Sequence, residues 1–320
     1  MQKNLQNALA LLRKFGGSDL FITFTANPRW KEITEALLPN QAPHDRPDLI
    51  ACVFNLKVDS LLDDIMQKGI FGKAEGHVHT VKYQKRGLPH IHLIVFLAHS
   101  SCLSTPEAID QCISTEFPSE THNPHLFQTV KKFMVHGPCG LGLSLPCSGT
   151  RGKCTKGFLK TFKSDTEIMG ESYVQTRRRD MGHFVQIGDR FVDNCSIVSY
   201  SPFLLLKYDA HINIECTTGF SAIKYIYKVL SFFLRHDMNR CLPLSVQYVY
   251  KGPDCALVSL HANYNPHTYD NQFIQEDEIK LYIDARYISA SEAVAQLIGW
   301  PTHKVCSRPF SIRNIIIQLW

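Results

Sequence analysis

The chain reads as an α+β protein, with a central antiparallel β-sheet and flanking helices packed on one face, and three observations predict it. First, Leu93–Leu97 is an unbroken apolar run opened by Pro89, which bars a helix and favours a buried strand. Second, Gly76–Gln84 alternates in the manner of a strand, and the short segment Lys85–Pro89 lets it pair with the Pro89 strand as a hairpin. Third, Leu49–Met66 carries a long helical pattern that closes at Lys68-Gly69.

The other elements follow in order. Leu5, Ala8, Leu9 and Leu12 fall at i, i+3, i+4 and i+7, an amphipathic helix ended by Gly16-Gly17. The chain thus starts inside an element, as if excerpted from something longer. Asp19–Thr25 is a strand with Thr23 and Thr25 on one face, stopped by Asn27-Pro28. Trp30–Leu38 predicts a short helix and residues 39–47 a loop, while Ser100–Pro124 predicts a loop with one short helix. Pro202–Asp209 and His211–Glu215 predict a helix followed by a strand. Glu278–Tyr287 reads as strand or loop, and Ser291–Ile298 as the final helix. Residues 302–320 show no recognisable pattern, and there is no internal repeat.

Composition bounds the function. Of 320 residues, 44% are apolar and 20% charged, the balance of an ordinary globular chain. The net charge of +5 permits polyanion binding without demanding it. Lys82, Lys85, Arg86 and Arg177-Arg178-Arg179 form local basic clusters, which serve either as solvated faces or as anion contacts. No apolar run reaches the roughly 18–20 residues of a membrane span, and no signal-peptide core precedes the first helix. Eleven cysteines without a secretory signal predict reduced thiols, some of them metal-binding, in a cytosolic or nuclear setting.

Two places carry metal chemistry. On a strand, residues two apart share a face, so His90 and His92 aim their imidazoles at one point and can share a divalent cation. Residues 134–157 hold His136, Cys139, Cys147 and Cys154 between glycines, proline and serines. One imidazole and three thiolates suit a tetrahedral zinc ion, although the spacing matches no standard finger and the alternative is unliganded cysteines.

The stretch Tyr83-Gln84-Lys85-Arg86-Gly87-Leu88-Pro89-His90-Ile91-His92-Leu93 closely resembles the histidine–hydrophobe–histidine motif of Helitron transposases, rolling-circle Rep-type endonucleases of the HUH superfamily. Leu20–Trp30 resembles that family's first motif. Met134–Cys139, Gly152–Cys154, Tyr173–Arg179 and Leu204–Glu215 resemble later blocks in the same order. Lys224-Tyr225-Ile226-Tyr227-Lys228 and Tyr248–Asp254 resemble the two halves of its tyrosine motif. The resemblance runs from about residue 4 to residue 300 and implies an HUH/Rep-like nuclease domain over 1–300, with 301–320 an atypical tail. It further implies a helicase domain downstream, before which this chain ends, and a nuclear location.

The resemblance also implies a reaction. A divalent cation, Mg2+ or Mn2+, at His90 and His92 would offset charge on a scissile phosphate, and a tyrosine would form a 5′-phosphotyrosine link to single-stranded DNA. Tyr225 and Tyr248 match the tyrosine pair, and Gln84, with His79 as the alternative, would complete the metal set. Lys85, Arg86, Arg177, Arg178, Arg179, Lys224 and Lys228 would grip the strand.

Two departures qualify this. The family's tyrosines stand one helical turn apart, whereas Val229–Gln247 adds 19 residues between Tyr225 and Tyr248. Deleting that segment restores the spacing, and since valine codons begin with GT and a glutamine codon can end in AG, an intron translated in frame explains it. Sequencing the spliced transcript decides the matter. Lys82 is the second departure, standing where many family members carry a glutamate suited to be a third ligand. Besides an enzyme, the sequence therefore admits a copy that binds single-stranded DNA without cutting it, or a zinc-stabilised domain with no DNA role.

Overall fold

The strand bearing His90 and His92 is the middle one of five. The computed structural model describes residues 18–83, 88–98, 103–137, 147, 154–168, 174–217, 289–301 and 303–307. Its main sheet comprises β1 (Leu20–Thr25), β2 (Ala74–Tyr83), β3 (Pro89–Leu97), β6 (Ile212–Cys216) and β7 (His303–Ser307), in the order β6-β1-β3-β2-β7. Every pairing is antiparallel. The intervening β4 (Val185–Ile187) and β5 (Arg190–Val192) form a separate two-stranded ribbon. Helices are α1 (Lys31–Thr34), α2 (Pro47–Met66), α3 (Pro106–Cys112), α4 (Pro124–Phe133), α5 (Pro202–Tyr208) and α6 (Ala290–Ile298).

Strand alternation divides the sheet into two faces. Leu20, Ile22 and Phe24 of β1, Ile91, Leu93 and Val95 of β3, and Ile212 and Ile214 of β6 are wholly buried. They meet α2, whose Ile50, Phe54, Val58, Leu61 and Ile65 recur at helical spacing along its buried side. Phe24 stacks on Phe54 at 5.5 Å and tilts against Tyr208 at 5.5 Å. Pro47 begins α2 at its first turn, where a missing N–H costs nothing, and α6 lies against the same helix. A second, smaller core gathers Val130, Met134, Ile197, Tyr200 and Leu205.

A polar lock holds α2 to α5. The Asp64 carboxylate is fully buried and accepts hydrogen bonds from Lys207 Nζ at 2.7 Å, Tyr208 Oη at 2.6 Å and Lys68 Nζ at 2.8 Å. Trp30 Nε1 donates to the Tyr208 carbonyl at 2.7 Å, tying the β1–α1 connection into the same place.

The helix expected over Trp30–Leu38 shortens to Lys31–Thr34. Residues 303–307, expected in a patternless tail, instead supply edge strand β7 against β2. Helix α4 and the β4–β5 ribbon were not expected. The helix expected over Leu5–Leu12 and the insert Val229–Gln247 lie outside the described residues. Among the described residues no helix is long and apolar enough to cross a membrane.

Candidate functional site

His90 and His92 occupy the face of β3 opposite Ile91, Leu93 and Val95, which the core claims. Register places Thr25 and Lys82 on either side of His90, and Thr23 and Thr80 on either side of His92. The two imidazoles meet edge-on with ring centroids 4.9 Å apart. Thr23 Oγ1 lies 3.2 Å from His92 Nδ1, and Phe21 stacks on the same ring at 5.7 Å. In the tautomer that donates Nδ1–H to Thr23, Nε2 of His92 carries the lone pair. Nδ1 of His90 is buried and makes no hydrogen bond among the described residues.

Both rings are held neutral. Burial, then the Lys82 charge, pushes His90 down to about 4. Burial, then His90 and Lys82, pushes His92 to about 3. A buried, orphaned nitrogen beside a second neutral imidazole fits a divalent cation. Lys82, directly across from His90, works against one.

The third ligand is less well served. His79 pairs in register with Leu93 and stacks on His77, so it lies on the opposite face of the sheet from His90 and His92. Strand alternation excludes it as their co-ligand. Gln84 lies outside the described residues, as do Tyr225, Tyr248, Lys85, Arg86, Lys224 and Lys228.

The arginine cluster is engaged within the fold. Arg178 is 6% exposed and gives its guanidinium to the carbonyls of Thr115 and Asn194. Burial pushes it down to about 10. Arg179 makes a two-pronged pair with Glu116, at 3.0 and 2.8 Å, and Arg177 meets Asp110 at 3.3 Å. All three were expected to grip DNA phosphates; Arg178 is buried inside the fold, while the Arg177 and Arg179 side chains, 36% and 45% exposed, pair with Asp110 and Glu116. A triple of arginines in sequence does not show which acids face it.

The Cys/His segment does assemble. The ligating atoms of His136, Cys147 and Cys154 all lie within 4.8 Å of one another, and this group could hold a metal ion. Cys154 Sγ is 3.4 Å from His136 Nε2 and accepts from the Lys156 backbone N–H at 3.4 Å. His136 stacks on Phe158 at 4.1 Å, and its backbone N–H donates to the Ser196 carbonyl at 2.8 Å. Thr155 N–H donates to the Cys147 carbonyl at 2.8 Å, which holds the two cysteine positions together. Cys139 lies outside the described residues. Sequence reading missed Thr23 as the partner of His92, although its place on the same face of β1 was legible.

Stability should fall in acid. His77, His90 and His92 sit at about 4, 4 and 3, below their ordinary 6.5. The unfolded chain therefore takes up protons that the folded chain refuses, so stability is complete above pH 6.5 and drains away as pH falls toward about 3. Urea midpoints in chelator should be lower at pH 4.5 than at 7.5, and the difference should shrink in His90→Gln/His92→Gln. An unchanged difference would show that these imidazoles are not the cause.

Fold and site together define an antiparallel α+β domain with a bis-imidazole central strand and a separate Cys/His cluster. Residues 1–95 match the family model described as "Helitron helicase-like domain at N-terminus". The match takes in β1, α1, α2, β2 and the histidines of β3, and supports a Helitron helicase-like N-terminal domain. No curated protein matches the chain.

Proposed function

We propose that the chain is the Rep-type domain of a Helitron transposon, which nicks single-stranded DNA and transfers the strand through a 5′-phosphotyrosine. The observation that carries this reading is the neutral His90–His92 pair on the central strand, inside the matched residues 1–95. His90 and His92, with Gln84, would hold Mg2+ or Mn2+. Such a cation supplies charge to the non-bridging oxygens of the scissile phosphate. Thr23 orients His92, and Phe21 packs against its ring. The Tyr225 phenolic oxygen would bond to phosphorus as the bond to the 3′ oxygen breaks, and that oxygen leaves as a hydroxyl after taking a proton. Tyr248 would serve the second transfer. Lys85, Arg86, Lys224 and Lys228, with the part-exposed Arg177 and Arg179, would grip the strand, while Arg178 is held inside the fold. A downstream helicase and action in the nucleus accompany this reading, and the cation at His136, Cys147 and Cys154 would be a structural zinc with Cys139 as fourth ligand.

Incubating labelled single-stranded DNA with the full chain and Mn2+ should give a covalent protein–DNA adduct that Tyr225→Phe abolishes. No adduct from the wild type would sink the proposal.

Lys82 favours a second reading, a domain that binds the strand without cutting it. Its ammonium faces the site across the β2–β3 register and depresses both histidines. Lys82→Glu should then raise Mn2+ affinity by roughly tenfold or more, since it exchanges repulsion for attraction at one ligand position. Titration calorimetry beside the nicking assay checks it, and an unchanged affinity would mean Lys82 is no obstacle.

A further inference from the structure

Register lays two rows of residues across the face of the sheet that carries the histidine pair, Lys82–His90–Thr25 and Thr80–His92–Thr23–Asn213. Neighbours along such a row have Cβ atoms about 4.5–5.5 Å apart. Neither row contains a carboxylate among the described residues. The next row brings Glu215, but on β6, two strands from β3, where it accepts from Asn213 Nδ2 at 3.1 Å. Mg2+ and Mn2+ favour oxygen ligands, carboxylates above all. The rows offer instead one ammonium, three hydroxyls, an amide and two imidazoles, groups able to donate to the oxygens of an anion. With both imidazoles neutral, Lys82 carries the single formal charge of the two rows, and that charge acts on both rings.

We propose that Lys82 grips a backbone phosphate of single-stranded DNA directly, beside the His90–His92 pair, so that the strand is held here without a divalent cation. This rests on the reading that the face receives the strand, and adds which side chain takes the phosphate. A lysine ammonium is a compact point charge with three donors, and it binds phosphate in that capacity. Placed across from His90, it repels a cation at the imidazoles and attracts an anion at the same spot. Thr25 completes the Lys82 row on the far side of His90, and its hydroxyl can donate to a second oxygen of the same phosphate. Lys82 is thus a residue that positions the strand by its charge, whether or not the strand is then cut.

The test is equilibrium binding of the full chain to a fluorescein-labelled thymidine oligonucleotide of about ten nucleotides, in EDTA, read by anisotropy at several salt concentrations. Each phosphate neutralised on a single strand contributes about 0.7 to the slope of log K against log salt. Lys82→Gln should therefore flatten the slope by about 0.7 and weaken binding about tenfold, the size of one charge-assisted hydrogen bond. Lys82→Arg should keep both. Lys57→Gln removes the same charge from α2, which packs against the opposite face of the sheet, and should leave the slope unchanged. Far-ultraviolet circular dichroism confirms that each variant folds. An unchanged slope in folded Lys82→Gln, an equal flattening in Lys57→Gln, or wild-type binding that needs Mn2+ would overturn the proposal. Adduct formation in Mn2+ is read separately. An adduct with an unchanged Lys82→Gln slope would sink this proposal alone, whereas a flattened slope without an adduct would uphold it and sink the nicking reading.

Discussion

The double substitution His90→Ala/His92→Ala should bring Mn2+-dependent nicking of single-stranded DNA to background. The expected loss is at least about 10³ in rate, or roughly 4 kcal/mol of transition-state stabilisation. Both imidazoles would act as one unit, so either single substitution should cost nearly as much as the pair. The fold should survive. Neither ring belongs to the apolar core, which Ile91, Leu93 and Val95 supply from the other face of β3. Removing His90 also removes a buried, unpaired nitrogen, which offsets part of the lost packing. Single-turnover rates beside thermal melts separate the two effects. Nicking retained within tenfold, by a protein that melts normally, would place the chemistry elsewhere.

Asp64→Ala should destabilise the fold by about 3–5 kcal/mol, the range for breaking a buried, hydrogen-bonded ion pair from one side. It leaves Lys207 without its carboxylate and Tyr208 Oη with only Ser60 Oγ, 3.0 Å away. Burial alone would push the Asp64 carboxyl up, but hydrogen bonds from Lys207, Lys68 and Tyr208 outweigh it and hold the group below its ordinary 3.8. The linkage follows in sign: the contribution is complete above 3.8 and is lost as pH falls through the lower folded value. Asp64→Asn keeps an acceptor for Tyr208 and should cost less. Urea unfolding at pH 7 checks the order, and equal midpoints for wild type and Asp64→Ala would refute it.

Much of the sheet was legible because its strands are short-range events. Pro89, the apolar run after it and the alternation of Gly76–Gln84 each act locally, and they give β2 and β3 nearly at their observed bounds. Helix α2 declares itself by periodicity over 20 residues. Strand β7 does not, because an edge strand is chosen by the neighbour it pairs with more than by its own pattern. The same division holds for the site. His90 and His92 could be assigned to one face from spacing alone, whereas the exclusion of His79 needed the β2–β3 register, which spacing within one strand does not supply. Arg177–Arg179 could not be read, because their partners Asp110, Glu116 and Asn194 are distant or follow later in the chain.

The strand order also sets a timetable for biosynthesis. β3 finds β2 through a hairpin and β1 shortly before it, but the outer edge of β2 waits for His303–Ser307. Roughly 220 residues separate Tyr83 from His303, so at ribosomal rates of about 5–20 residues per second that edge stays unpaired for on the order of 10–40 s. An open edge of this kind is a template for pairing with a neighbouring nascent chain. Lys82 and Glu75, set along β2, place charge on the edge during that interval. Slow closure of β7 thus makes yield on expression more sensitive to temperature and translation speed than the stability of the finished fold would suggest.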